Sequence, residues 1–251
     1  MIKKNIQKIL NKFGYKITKL KTNLDLENIE KEIREISTKE KEFIKICSKY
    51  SMTPKLRLWN VINSYKHIYN NKIEGDFVEC GVWKGGNLIL IQKMNELFNN
   101  NMKIYGYDTF EGMSKPDSPK DGQTEKKIYE NYVNKNEKWC FCSQEEVKQN
   151  FKQNTYENNN LFLIKGKVED SLLNKNNLPD KISILRLDTD WYKSTKIELD
   201  ILFPKLLNGG ILIIDDYGNW KGSKLATDEY FTKKNLTLHY VDRGCRFLIK
   251  S

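Results

Sequence analysis

Two acidic clusters close short apolar runs in this chain. Asp188-Thr189-Asp190 follows Ile182-Ser183-Ile184-Leu185-Arg186-Leu187, and Asp215-Asp216 follows Gly209-Gly210-Ile211-Leu212-Ile213-Ile214. Short runs rich in β-branched residues read as buried strands. In an open parallel sheet, ligands bind outside the carboxyl ends of the strands, so the two clusters are expected to face one cleft. Carboxylates gathered there repel one another until a cation or shared protons neutralise them. Their hard oxygens suit Mg²⁺ or a similar divalent ion.

A second constellation lies upstream. Asp76-Phe77-Val78-Glu79-Cys80 reads as a strand, Gly81 to Gly86 as a glycine turn, and the residues after it as a helix. Glycines at such a turn let the backbone approach a ligand. The spacing is Gly-x-x-x-Gly-Gly, which is neither the Gly-x-Gly-x-x-Gly of a dinucleotide fold nor a phosphate-binding P-loop. The next strand, Lys103-Ile104-Tyr105-Gly106-Tyr107, ends in Asp108, where a ribose diol would be gripped. Gly166-Lys167-Val168-Glu169-Asp170 follows the third strand, where an adenine would lie. Together these features point to a nucleoside ligand.

The elements that must hold these residues alternate. A helix is expected from the Thr53-Pro54 cap, with Leu56, Leu58, Trp59, Val61 and Ile62 on it. Further helices are expected over 85–98, 143–154, 195–207 and 223–233, and strands at 161–164, 236–241 and 246–249. Ser143-Gln144-Glu145-Glu146 has the pattern of a capping box. Residues 112–142 are polar, contain Pro116, Pro119 and Gly122, and read as a long loop or lid. Alternating strands and helices call for a doubly wound, mostly parallel α/β sheet. The last two strands are joined too tightly for a parallel crossover and must form an antiparallel hairpin.

Composition narrows the class. The chain has 251 residues, is 39% hydrophobic and carries a formal charge of +10. This supports a real core. No apolar run approaches the ~18 residues of a membrane span, and no signal peptide follows Met1, so a cytoplasmic protein without integral membrane contact is expected. Five cysteines without repeated spacing argue against a disulfide framework. The positive charge lacks an arginine cluster or a basic-aromatic interleave, so it is read as solvated lysines and not as a nucleic-acid site. Near the N-terminus, Ile2, Ile6, Ile9, Phe13, Ile17 and Leu20 form a stripe on a basic helix. Residues 1–50 are expected to be a helical extension that docks on residues 51–251 or on a second subunit, with a membrane-surface anchor as the alternative.

The motifs resemble those of the macrocin O-methyltransferase family. The resemblance is carried by Gly75-Asp76-Phe77-Val78-Glu79-Cys80-Gly81-Val82-Trp83-Lys84-Gly85-Gly86, Tyr107-Asp108-Thr109-Phe110-Glu111-Gly112-Met113, Leu187-Asp188-Thr189-Asp190-Trp191-Tyr192-Lys193-Ser194-Thr195, and Gly209-Gly210 through Asp215-Asp216-Tyr217. It covers about residues 50 to 243 and departs in the C-terminal strand Gly244 to Lys250. It implies a seven-stranded class I methyltransferase sheet and an S-adenosylmethionine- and Mg²⁺-dependent enzyme that methylates a sugar hydroxyl. It places Glu79, Gly81, Asp108 and Asp188 at the cofactor, with Thr53, Trp83, Gly85, Thr109, Val168 and Glu169 around them. Asp190, Asp215 and Asp216 are placed at the metal, and Asp188 or Asp190 is the expected base. A small sugar or sugar-nucleotide acceptor and a homo-oligomer are also implied. The Lys- and Asn-rich composition tilts the acceptor towards capsule or lipopolysaccharide sugars.

Two rivals use the same observations. A nicotinamide-dependent oxidoreductase fits the glycine spacing worse and leaves Asp215-Asp216 unexplained. A nucleic-acid methyltransferase would explain the charge, but an Asn-Pro-Pro-Tyr tetrad or a Pro-Cys nucleophile is absent.

Overall fold

The structure is a computed structural model that describes residue 29 and residues 33–116, 119–156, 159–232, 234 and 236–251. The chain divides into two compact units, one ending at Glu35 and one running Ile36–Ser251. In the first, the described residues show a helical Ile29, whose carbonyl accepts from Ile33 N–H at 2.8 Å, and a turn at Arg34–Glu35. The stripe from Ile2 to Leu20 lies outside the described residues.

The second unit opens with α1 (Thr38–Cys47) and α2 (Lys55–Asn70). A reciprocal capping box starts α1: Glu40 N–H donates to Ser37 Oγ at 3.2 Å, and Ser37 N–H donates to Glu40 Oε2 at 2.7 Å. Within this unit α1 packs on α2 and on the helix after β1. The Thr53 cap is not formed. Pro54 occupies the cap position of α2 without a side-chain bond, because Thr53 Oγ1 faces inward and accepts from Arg186.

The sheet follows from β1 (Asp76–Cys80), α3 (Gly86–Phe98), β2 (Ile104–Asp108), α4 (Gln123–Asn134), α5 (Gln144–Asn154), β3 (Leu161–Lys165), the one-turn α6 (Val168–Ser171), β4 (Ile182–Leu187), α7 (Tyr192–Ile201), β5 (Leu206–Ile214), α8 (Lys221–Phe231), β6 (His239–Tyr240) and β7 (Arg246–Ile249). Its order is β3-β2-β1-β4-β5-β7-β6. The first five strands pair in parallel, while β7 runs antiparallel to both β5 and β6. The expected mostly parallel seven-stranded sheet with a C-terminal hairpin is therefore present. The expected lid contains a helix, α4, none of whose residues is buried. At Ser143 only the forward half of the box forms, from Glu146 N–H to Ser143 Oγ at 3.1 Å.

From β1 the chain crosses through α3 to β2 on one side, and from β4 through α7 to β5 on the other. Right-handed crossovers in opposite directions put these helices on opposite faces. The reversal between β1 and β4 leaves a crevice at their carboxyl ends. Register aligns the motifs there. Tyr107 pairs with Cys80, Cys80 with Leu187, and Leu187 with Ile214. The next residues, Asp108, Gly81, Asp188 and Asp215, consequently form one row across the sheet edge. Every residue of β4 is buried, as befits a central strand covered on both faces.

Candidate active site

Gly81 follows the last residue of β1 and faces the Asp188 backbone at the end of β4. Its φ is +85°, and a Cβ built there would lie 2.0 Å from the Asp188 carbonyl oxygen. Only glycine satisfies both conditions. Beside it, Asp108 staples the turn. Its Oδ2 accepts from Val82 N–H at 2.8 Å and Trp83 N–H at 3.0 Å, and its Oδ1 accepts from Phe110 N–H at 2.8 Å. Its partners are thus the backbone of the glycine turn and of its own loop, with Thr109 Oγ1 donating to Oδ1 at 3.4 Å.

An open cleft lies over this row. Gly81, Trp83, Asp108, Thr109, Val168, Glu169, Asp188 and Asp190 line it. Thr53, Glu79, Gly85, Asp215 and Asp216 are not among its lining residues. Gly85, with φ +86°, precedes the first turn of α3. Glu79 lies buried, 1% exposed. Met52, Met113 and Cys140, by contrast, do line the cleft. Burial and the nearby carboxylates push the Cys140 thiol up to about 12, so it is a neutral wall and not a nucleophile. Lys193 does not line this cleft. His67 Nε2 meets the Gly209 carbonyl at 3.0 Å, and the His239 ring tilts against Phe247 with centroids 5.1 Å apart, which are structural roles.

Two buried arginines organise the acids. Arg186, fully buried on β4, donates through Nη1 to Glu79 Oε1 at 2.6 Å and to Asp188 Oδ2 at 2.7 Å. Its Nη2 donates to Asp215 Oδ1 at 2.7 Å and Thr53 Oγ1 at 3.0 Å. Arg57, near the start of α2, donates through Nη1 to Asp215 Oδ2 and through Nε to Asp242 Oδ2, the latter at 2.7 Å. Against burial, which disfavours the charge, the Asp215 and Asp242 carboxylates hold the Arg57 guanidinium firmly protonated. Sequence reasoning passed over both. The signal was an arginine inside an otherwise apolar strand, since an unpaired charge is rarely fully buried.

The acids exceed these cations. Four carboxylates (Glu79, Asp188, Asp215 and Asp242) pair with the two guanidiniums, and Asp190 and Asp216 add two more next to them in the chain. Among the described residues, Asp188, Asp215 and Asp216 each offer one carboxylate oxygen within 4.8 Å of the others. This trio differs from the expected Asp190, Asp215 and Asp216. Asp190 stands beside it, with its backbone N–H on Asp216 Oδ2 at 3.1 Å and its φ at +67°. Burial raises the Asp188 carboxyl to about 6, opposed by Arg186, and raises Asp190 to about 8, with Asp188 and Asp215 adding to it. Asp216 is pushed well up by burial and by the Asp190 and Asp188 carboxylates. The cluster therefore holds protons that a cation would displace.

The macrocin O-methyltransferase (TylF) family profile matches residues 6–250. The chain belongs to this family. The methyltransferase is 31% identical over 192 residues to the demethyldecarbamoylnovobiocin O-methyltransferase of Streptomyces niveus, covering 74% of this chain and 70% of the relative. It is 26% identical over 173 residues to the mycinamicin III 3''-O-methyltransferase of Micromonospora griseorubida, covering 67% and 65%. The structure of the O-methyltransferase NovP superposes with a TM-score of 0.70 at 30% identity, over 80% of this chain and 82% of that one. The enzyme is thus an S-adenosylmethionine-dependent O-methyltransferase, and the oxidoreductase alternative falls. No helix among the described residues is long and apolar enough to cross a membrane.

Proposed function

We propose that this methyltransferase methylates a sugar hydroxyl with the help of a divalent cation, on a glycosylated or nucleotide-linked small molecule. The observation that carries the reading is the Asp188–Asp215–Asp216 trio at the edge of the donor cleft. Relatives named for novobiocin and mycinamicin intermediates support a small glycoside. They lend no support to the capsule or lipopolysaccharide acceptor towards which composition tilts.

The residues fit both groups. Glu79 Oε2 and Asn87 Oδ1 are buried acceptors without a hydrogen-bond partner among the described residues. They lie together, since Asn87 Nδ2 donates to Glu79 Oε1 at 2.9 Å. Two such acceptors beneath the glycine turn suit a donor bearing an ammonium group. Asp188 and Asp216, backed by Asp215, would hold the cation. When bound, a divalent ion lowers the pKa of a coordinated hydroxyl.

The rest is the work of the chain. Asp215 has each oxygen engaged by a guanidinium and acts chiefly to align the trio. Asp190, at the cleft with a pKa raised to about 8, accepts the hydroxyl proton in its ionised form, so transfer should quicken as pH rises towards 8. Gly81 and the stapled turn present backbone to the donor, and Met52 and Met113 narrow the cleft and limit water.

The test is methyl transfer from S-adenosylmethionine to a panel of O-glycosides and nucleotide sugars, with and without chelator. Transfer that survives chelation, or turnover of no sugar in the panel by protein that binds the donor, would refute the reading.

A further inference from the structure

Asp121 is fully buried, yet it belongs to the polar stretch between β2 and α5. Its Oδ1 accepts from Tyr192 N–H at 2.6 Å. Tyr192 is the first residue of α7, whose own cap residue, Trp191, supplies no capping side chain. An orphan N–H at a helix start is normally satisfied by a neighbouring side chain. Here the acceptor arrives from 71 positions upstream.

A third element closes around this bond. Gly222 lies in the first turn of α8, and a Cβ there would stand 1.9 Å from Asp121 Oδ1 and 2.6 Å from Tyr192 N. Glycine is thus required where Asp121, α7 and α8 meet. The same stretch is fastened at further points. Trp191 Nε1 donates to the Ser114 carbonyl at 3.0 Å. Trp139, whose carbonyl accepts from Met113 N–H at 2.9 Å, meets Trp191 and Trp220 edge-on, with centroids 5.9 and 6.0 Å away.

The segment that Asp121 caps is the turn bearing Asp188 and Asp190. That turn is unusual, because Asp190 adopts a left-handed φ of +67° and Trp191 N–H returns to the Thr189 carbonyl at 2.7 Å. A non-glycine residue adopts that region uncommonly, and here the neighbouring contacts fix it. Asp216 Oδ2 takes the N–H of Asp190 and Ser223 N–H donates to its carbonyl at 3.2 Å, while Asp121 pins the chain two residues on.

We propose that Asp121 is a positioning residue that makes closure of the 119–142 segment and setting of the Asp188–Tyr192 turn a single event. Its role in catalysis rests on the reading that Asp188 and Asp190 carry the chemistry.

The test needs neither acceptor nor metal. In the full chain saturated with S-adenosylhomocysteine, amide exchange is followed over residues 188–194, alongside tryptic cleavage at Lys126, Lys127, Lys135 and Lys138. In Asp121→Ala both should quicken together by about tenfold or more, the scale of one charge-assisted hydrogen bond, with β1, β4 and β5 still protected. Asp121→Asn keeps an acceptor oxygen and should restore both rates, which a general loss of packing would not allow. Gly222→Ala, which displaces Asp121 without altering it, should reproduce the alanine phenotype and serves if Asp121→Ala fails to fold. Quickening of one region without the other, or an asparagine variant behaving like alanine, would overturn the proposal. A wild-type protein that binds no Mn²⁺ would count against the metal reading alone.

Discussion

Arg57 clasps Asp215 from a helix that precedes the sheet. Its Nη1 donates both to Asp215 Oδ2 and, at 3.0 Å, to the Asp215 carbonyl, while its Nε holds Asp242 in the C-terminal hairpin. One guanidinium thus ties α2 and the β6–β7 connection to the tip of β5.

Arg57→Met should leave two carboxylates short of a partner in a buried setting. Removing one member of a buried ion pair costs about 3–5 kcal/mol. At about 2–4 °C per kcal/mol for a chain of this size, calorimetry should show a clear fall in Tm. Arg57→Lys should recover only part of it, because an ammonium cannot serve Asp215 and Asp242 with a fork.

Metal binding should be pH-dependent. Asp188 and Asp216 are held above the usual carboxylate range by burial first, opposed at Asp188 by Arg186 and reinforced at Asp216 by the Asp190 and Asp188 carboxylates. A cation must displace those protons, so affinity should rise as pH climbs through about 6, the value for Asp188, and further as Asp216 loses its proton. Titration calorimetry in buffers of different ionisation enthalpy should report proton release on Mg²⁺ binding. Asp216→Asn should abolish the binding and leave S-adenosylhomocysteine affinity within about threefold. Equal metal affinity at pH 6 and 8.5 would contradict the expectation.

Glu198 offers a stability test behind the turn that carries Asp188 and Asp190. It is fully buried on α7, and only its Oε1 has a partner, Thr189 Oγ1 at 2.9 Å. Burial raises it from 4.5 to about 8. A raised carboxyl favours the fold below its unfolded value, and that advantage is lost as pH rises through the folded value. The slope is about 1.4 kcal/mol per pH unit for one proton. Glu198→Gln should therefore flatten the decline in stability between pH 5 and 8, measured by urea unfolding. Parallel wild-type and variant curves across that window would show that Glu198 ionises normally.

Gly81→Ala should damage the donor site. A methyl there would collide with the Asp188 carbonyl and impose a strained φ. The strands must part locally, so S-adenosylhomocysteine affinity should drop by more than about tenfold, together with stability, since strain and displaced backbone each cost on the order of 1–3 kcal/mol. Calorimetric titration with the unchanged donor product gives the answer directly.

The local pattern of the chain was enough to locate the acids and glycines. Each stands at the end of a β-branched run, and a strand tip in a parallel sheet is where ligands gather. Alternating elements likewise announced the sheet, and the short link before β7 announced its antiparallel partner. Partnerships were not readable in this way. Arg57 meets Asp215 across 158 positions, Arg186 meets Glu79 across 107, and Asp121 meets Tyr192 across 71. These pairs exist because strand order brings β1, β4 and β5 side by side, and periodicity carries no information about strand order. The choice between Asp188 and Asp190 for the trio had the same origin. Both lie in one tripeptide, and the left-handed turn at Asp190, imposed by contacts from α8 and from the segment before α4, separates their roles.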